Sequence, residues 1–191
     1  MERNYIEDKI FEQTDFSKDP LSPGEYENCQ FLQCNFSDAD LSGTSFTECT
    51  FTGCNMSMAK MIKTGLRDIA FRDCKLLGLH FDHCDPFLFE VSFDTCTLNL
   101  SSFYKQKLKK ASFKDCSITE ADFTEVDLTG AVFNNCDLAK TVFENTILEK
   151  TDFRTAHNYS IDPELNRIKK AKFAIPAVIG LLDRYDIDIE E

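Results

Sequence analysis

From Tyr26 onward every fifth residue is apolar, and no regular helix or strand has that period. The first run is Tyr26, Phe31, Phe36, Leu41, Phe46, Phe51, Met56, Met61, Leu66, Phe71, Leu76 and Phe81. A second run, its register shifted by two, is Leu88, Phe93, Leu98, Phe103, Leu108, Phe113, Ile118, Phe123, Leu128, Phe133, Leu138, Phe143, Leu148 and Phe153. All 26 positions are apolar in a chain that is 42% hydrophobic, which chance produces about once in 10¹⁰. A period of 3.6 or 2 would swing successive members of the run off a common face. A chain that turns a corner every five residues keeps them inside a narrow tube.

The residue two before each large one is a second inward position, and it is mostly small: Cys29, Cys34, Ala39, Thr44, Cys49, Cys54 and Ala59, then Ala111, Cys116, Ala121, Val126, Ala131, Cys136 and Thr141. All nine cysteines (29, 34, 49, 54, 74, 84, 96, 116 and 136) fall in that slot, roughly a one in two million coincidence. An unpaired cysteine behaves as a small buried hydrophobe. There is no Cys-x-x-Cys pair and no nearby Cys/His quartet, so no metal site is expected. The odd count suits reduced thiols in the cytosol.

Repeats such as Ala39-Asp40-Leu41-Ser42-Gly43, Ala121-Asp122-Phe123-Thr124-Glu125 and Val126-Asp127-Leu128-Thr129-Gly130 resemble the pentapeptide-repeat family over about residues 4–155. The resemblance implies an all-β fold, a right-handed quadrilateral β-helix with four pentapeptides per coil, so that residue i stacks on i+20. Cys96, Cys116 and Cys136 then stack. Phe93, Phe113, Phe133 and Phe153 form one core ladder, and Phe103, Phe123 and Phe143 the opposite one.

Residues 1–155 are therefore read as the solenoid and 156–191 as a tail. Lys18 to Glu25 keeps the spacing but carries two prolines and a glycine, which predicts an outward loop or a distorted coil. Asp85-Pro86-Phe87 shifts the register and is expected to bend the rod into two sub-stacks, with Phe87 and Phe89 sealing the joint, the alternative being that they lie exposed. Gln106, in a small inward slot, predicts local loosening. Beyond Phe153 the pattern stops. Pro176 suits a first helical position, and Val178, Ile179, Leu181, Leu182 and Tyr185 have helical spacing, which predicts a short amphipathic α-helix. One face can cap the last coil. Because the tail resembles those of family dimers, Ile175, Val178, Ile179, Leu181, Leu182 and Tyr185 are the expected homodimer contacts, the alternative being a cap in a monomer.

The chain has 33 acidic against 21 basic residues. The net charge of −12 argues against direct nucleic-acid binding and against anionic membranes, since both demand surplus Lys and Arg. Met1-Glu2-Arg3-Asn4-Tyr5-Ile6-Glu7-Asp8 has no basic stretch followed by an apolar run, so no signal peptide is expected. No segment approaches a membrane span, and the expected location is cytoplasmic. His80 and His83 point outward beside inward Cys84, which gives no Cys–His nucleophile pair. No G-x-S-x-G, P-loop, G-x-G-x-x-G or H-E-x-x-H motif occurs. A tube filled by its own side chains leaves no room for a small-molecule substrate, and neither an enzyme nor a cofactor is expected.

The outer surface remains. Residues 120–152 carry eight acids against Lys140 and Lys150. In the twenty-residue coil Asp122, Glu125, Asp127, Glu144 and Glu149 cluster on two neighbouring sides, while the preceding coil is basic, with Lys105 over Glu125 and Lys107 over Asp127. Such an anionic rod could occupy a protein groove built for duplex DNA. Within the family the sequence is similar to the Qnr quinolone-resistance and McbG-like microcin-immunity type, the latter through Ile161-Asp162-Pro163-Glu164-Leu165-Asn166-Arg167-Ile168. That similarity implies binding to DNA gyrase or topoisomerase IV and relief from a drug or toxin. The alternative is an interaction scaffold for an unrelated partner.

Overall fold

The computed structural model describes residues 4–190. Met1 to Arg3, on which the reading of the N-terminus partly rests, and Glu191 lie outside the described residues. Among the described residues eleven short strands form: β1 (Asn4–Glu7), β2 (Ile10–Glu12), β3 (Gly24–Glu27), β4 (Gln30–Leu32), β5 (Ser45–Thr47), β6 (Thr50–Thr52), β7 (Gly65–Arg67), β8 (Ile69–Arg72), β9 (Val91–Asp94), β10 (Ser112–Lys114) and β11 (Val132–Asn134). All pair in parallel, in a four-stranded sheet β1-β3-β5-β7 and a seven-stranded sheet β2-β4-β6-β8-β9-β10-β11. Phe31 pairs with Phe51 and Phe113 with Phe133, each i with i+20. Four pentapeptides therefore make one coil of a right-handed quadrilateral β-helix. Corners recur two residues after most central side chains, at positive φ: Asp68 at 52°, Asp73 at 51°, Glu120 at 59° and Glu125 at 58°. Left-handed backbone is costly for an L-residue, and the core that each corner closes offsets it.

That core is a pair of aromatic ladders. Phe93, Phe113, Phe133 and Phe153 stack face to face at 4.6 to 5.1 Å. Phe103, Phe123 and Phe143 stack at 4.8 and 5.4 Å on the opposite side. The two ladders meet edge to face, as between Phe113 and Phe123 at 6.0 Å and 83°, the geometry that ring quadrupoles favour. The first ladder continues down to Phe11 and up to Phe173, which stacks on Phe153 at 5.5 Å. The coil thus extends beyond residue 155, with Ile147 paired to Arg167 and Asp152 to Lys172. Ile168 and Phe173 resume the fivefold count after Asn158 and Pro163 interrupt it.

The small slot proves to be a donor slot. The thiols of Cys54, Cys74 and Cys136 donate to the carbonyls of Phe31, Phe51 and Phe113, each 23 residues earlier, at 3.3 to 3.5 Å. Thr64, Thr141, Thr146 and Thr151 hydroxyls do the same to Leu41, Ile118, Phe123 and Leu128. Asn166 reaches the Phe143 carbonyl. Buried carbonyls need such partners. Gln106 belongs to this set: it is buried, and its amide donates to the Phe81 carbonyl at 2.8 Å. The loosening expected there does not occur.

Lys18 to Glu25 adds no residue. Leu21 lies buried between Phe16 and Tyr26 in the fivefold count, and β1 pairs with β3 at i+20, so the segment is a distorted coil. The register shift lies slightly later than the sequence suggests. Asp85 still bridges Gly65 at i+20, whereas Val91 pairs with Ile69 at i+22. Leu88 takes a positive-φ corner and points out, 64% exposed, and the next corner, Thr95, follows after seven residues instead of five. Phe89 fills the core in place of Leu88, against Phe81 at 6.4 Å, while Phe87 is 63% exposed. The insertion ends the four-stranded sheet at β7, yet the seven-stranded sheet and the Phe81–Phe103 stack, 4.5 Å and 5°, run through it.

Among the described residues the tail forms no α-helix. It makes two 3₁₀ turns, Ala177–Leu181 and Asp183–Tyr185, through i to i+3 bonds from Ile179 N to Pro176 O and from Leu182 N to Ile179 O. The segment is too short for an α-helix to persist on its own propensity, and Gly180 lies flat on the Tyr159 carbonyl, where a Cβ would approach to 2.0 Å. Among the described residues no helix is long and apolar enough to cross a membrane.

Candidate functional site

The interior is filled, so the site must be sought outside. Of the five acids expected to form the anionic face, three are neutralised. Lys105 lies 3.6 Å from Glu125, which also accepts the Tyr104 hydroxyl. Lys109, two residues beyond Lys107, pairs with Asp127 at 3.2 Å, although Lys107 is the ladder neighbour of Asp127. Arg167 pairs with Glu149 at 2.6 Å. Asp122 turns into its own corner and accepts the Thr124 amide at 2.8 Å. Glu144 is exposed and has no ion pair among the described residues.

A stronger anionic surface stands on the four-stranded sheet. Glu7 and Glu27 are ladder partners on β1 and β3. Beside them runs a corner column of Asp8, Asn28, Glu48 and Asp68. None of Glu7, Asp8, Glu27, Glu48 and Asp68 makes an ion pair with a described cation. Tyr5 belongs to this face: its hydroxyl donates to Glu27 at 2.7 Å and is pushed up to about 12 by that bond first, then by partial desolvation and the charges of Glu27 and Glu7. Linear acid density conceals this face; counting in columns of twenty reveals it. A cleft of about 640 Å³ opens beside it, between Tyr5 and Glu27 at one end and Asp85 and Pro86 at the other. Arg67 crosses the cleft, bonded to Ser45 and Asp85 and lying 5.6 Å from the Phe87 ring centroid.

In the tail Leu181 packs against the core and Val178 is half-buried, while Ile175, Ile179, Leu182 and Tyr185 remain exposed, Ile175 at 89%. The cysteines are buried and unpaired. Cys84 is shielded from exposed His83, and burial pushes its thiol well above the ordinary range. The structure does gather His80, Asp82 and His83, whose ligand atoms lie within 4.8 Å of one another. The signal was the spacing His-x-Asp-His around inward Phe81.

No protein of curated function matches the chain significantly in sequence. Among solved structures, full-length QnrB1, described as a plasmid-mediated fluoroquinolone resistance protein, superposes with a TM-score of 0.61 at 18% identity, over 96% of this chain and 100% of QnrB1. HetL, a pentapeptide-repeat protein involved in heterocyst differentiation regulation in the cyanobacterium Nostoc, aligns at 13% identity and a TM-score of 0.35, over 90% of this chain and 84% of HetL. At these identities the likeness to QnrB1 is one of fold. The model of a pentapeptide repeat region matches residues 25–86, and that of eight pentapeptide repeats matches 96–135 and 121–157. With both halves matched, and with the twenty-residue coil, stacked phenylalanines and small donor slot in place, the chain belongs to the pentapeptide-repeat family.

Proposed function

We propose that this protein is a non-enzymatic DNA mimic that binds a type II topoisomerase, DNA gyrase or topoisomerase IV, and protects it from a quinolone or a peptide toxin. The observation that carries the reading is the carboxylate face of Glu7, Asp8, Glu27, Glu48 and Asp68, a parallel ladder pair with a corner column beside it, none of which has an ion pair among the described residues. Nine stacked phenylalanines, Phe11 to Phe173, span roughly 38 Å at ~4.8 Å per coil. That equals about eleven base pairs of duplex at ~3.4 Å each. The fold shared with QnrB1 supports the same direction. A homodimer through Ile175, Ile179, Leu182 and Tyr185 would double the length, since these apolar side chains stand in water on one protomer; Ile175→Asp with Ile179→Asp then halves the mass in sedimentation.

A supercoiling assay tests the reading. Inhibition of gyrase at submicromolar protein, or supercoiling restored in fluoroquinolone, supports it, and inertness at high protein concentration overturns it. In that event the second reading, a scaffold for an unrelated partner, is favoured by the exposed Phe87 and Leu88 beside the cleft.

A further inference from the structure

We propose that His80, Asp82 and His83 form a binding site for a divalent late transition-metal ion such as Zn²⁺ or Ni²⁺. The Asp82 carboxylate stands between the two imidazoles, with Oδ1 at 3.2 Å from His80 Nδ1 and Oδ2 at 3.5 Å from His83 Nε2. Ligands at the usual ~2.0–2.1 Å around a tetrahedral ion are about 3.4 Å apart; each imidazole already meets one carboxylate oxygen at about that separation, and the three ligand atoms lie within 4.8 Å of one another, so rotation of the exposed imidazoles brings them onto one ion. The rings stack at 4.8 Å and 12°. Imidazole and carboxylate together select Zn, Ni, Co or Cu over the oxygen-seeking Mg and Ca.

The turn that carries them is rigid. Neighbouring coils turn this corner on Lys63 and Lys105 at φ 58° and 60°, but here a 3₁₀ turn, Phe81–His83, replaces the left-handed residue. Buried Phe81 anchors the turn; Phe81 N and Asp82 N both donate to the Ser102 carbonyl, and the His83 carbonyl accepts from Lys63 N at 2.8 Å. A ligand set held in place loses little freedom on binding. The Asp82 side chain is only 16% exposed, whereas those of His80 and His83 are 57% and 51% exposed, which leaves solvent to complete the coordination. The site sits in the coil that holds the two-residue insertion, so a bound ion would brace the stack where its register changes.

Titration of the full-length protein with Co²⁺ and Ni²⁺ tests the assignment. The expected result is one ion per chain, a higher thermal midpoint with metal, and a Co²⁺ spectrum free of thiolate charge transfer. His80→Ala with His83→Ala, and separately Asp82→Asn, weaken binding at least about tenfold, the cost of losing even an outer-shell partner, while His157→Ala leaves it unchanged. The metal-free melting curve of each variant shows that the fold survives. A wild-type Kd weaker than about 1 mM, or binding retained by the double histidine variant, overturns the proposal.

Discussion

The Gln106 side chain donates to the Phe81 carbonyl at 2.8 Å, from the coil above the one that holds Phe81. It performs with a long amide what Cys54 and Thr64 perform with a thiol and a hydroxyl. Gln106→Ala removes the bond and leaves a void in a buried slot. The expected cost is about 1–3 kcal/mol, read as a lower urea midpoint with an unchanged slope.

The aromatic ladder predicts a graded response at Phe113, which is fully buried and touches Phe93, Phe103, Phe123 and Phe133. Phe113→Ala should cost about 3–5 kcal/mol. Phe113→Leu should cost clearly less, because it keeps much of the buried apolar volume and leaves a smaller cavity, and leucines already occupy the intervening sides, as Leu108 and Leu128 do. Equal losses for the two variants in chemical denaturation would contradict stacked packing.

The coil was legible because one side chain in five must face the axis, and Phe31 or Phe113 does so whatever lies outside. The missed elements depend on the third dimension. Leu88 satisfies the count but falls on a corner, where backbone sterics turn it outward and send Phe89 in. The tail shows helical spacing, yet contact between Gly180 and Tyr159, far apart in the count of five, holds it in 3₁₀ turns. The anionic face was missed for a related reason. Asp8, Glu48 and Asp68 are scattered in sequence and aligned only by the twenty-residue coil, whereas the dense acids of 120–152 meet the cations Lys105, Lys109 and Arg167 in space.

Alkali should unfold the protein by a defined route. Burial pushes the Cys49 thiol from 9.0 up to about 12, and the Tyr26 hydroxyl from 10.0 up to about 12. In the unfolded chain both lose their protons earlier, so above pH ~9 the folded state binds more protons and stability falls as pH rises. Each such group contributes a slope of up to about 1.4 kcal/mol per pH unit until its folded value is reached. The stability is fully present below pH 9 and declines through 12. Denaturation midpoints measured across that range check the sign, and Cys49→Ala should flatten the slope.

The seal of the last coil rests on Gly180, whose carbonyl accepts the Ile161 amide at 3.0 Å. Gly180→Ala drives a methyl into the Tyr159 carbonyl and should detach the tail, accelerating tryptic cleavage at Arg184. Tyr159→Phe behaves differently. Its buried hydroxyl has no hydrogen-bond partner among the described residues, so its removal should change stability by no more than ~0.5 kcal/mol or raise it slightly.

Charge reversal distinguishes the two acidic surfaces. Glu48 and Asp68 project from consecutive coils, exposed and without ion pairs among the described residues. Glu48→Lys with Asp68→Lys should therefore leave the melting temperature nearly unchanged while sharply weakening topoisomerase binding, chiefly through slower association. Glu149→Lys, by contrast, removes a charge that Arg167 already neutralises and should weaken binding far less. Wild-type affinity should fall steeply as salt shortens the Debye length from ~10 Å at 0.1 M toward ~3 Å at 1 M, and the double variant should show a shallower dependence. If Asp122→Lys with Glu144→Lys abolished binding while the Glu48 and Asp68 variant kept it, the contact would lie on the C-terminal coils, and the exposed Glu144 would be its anchor.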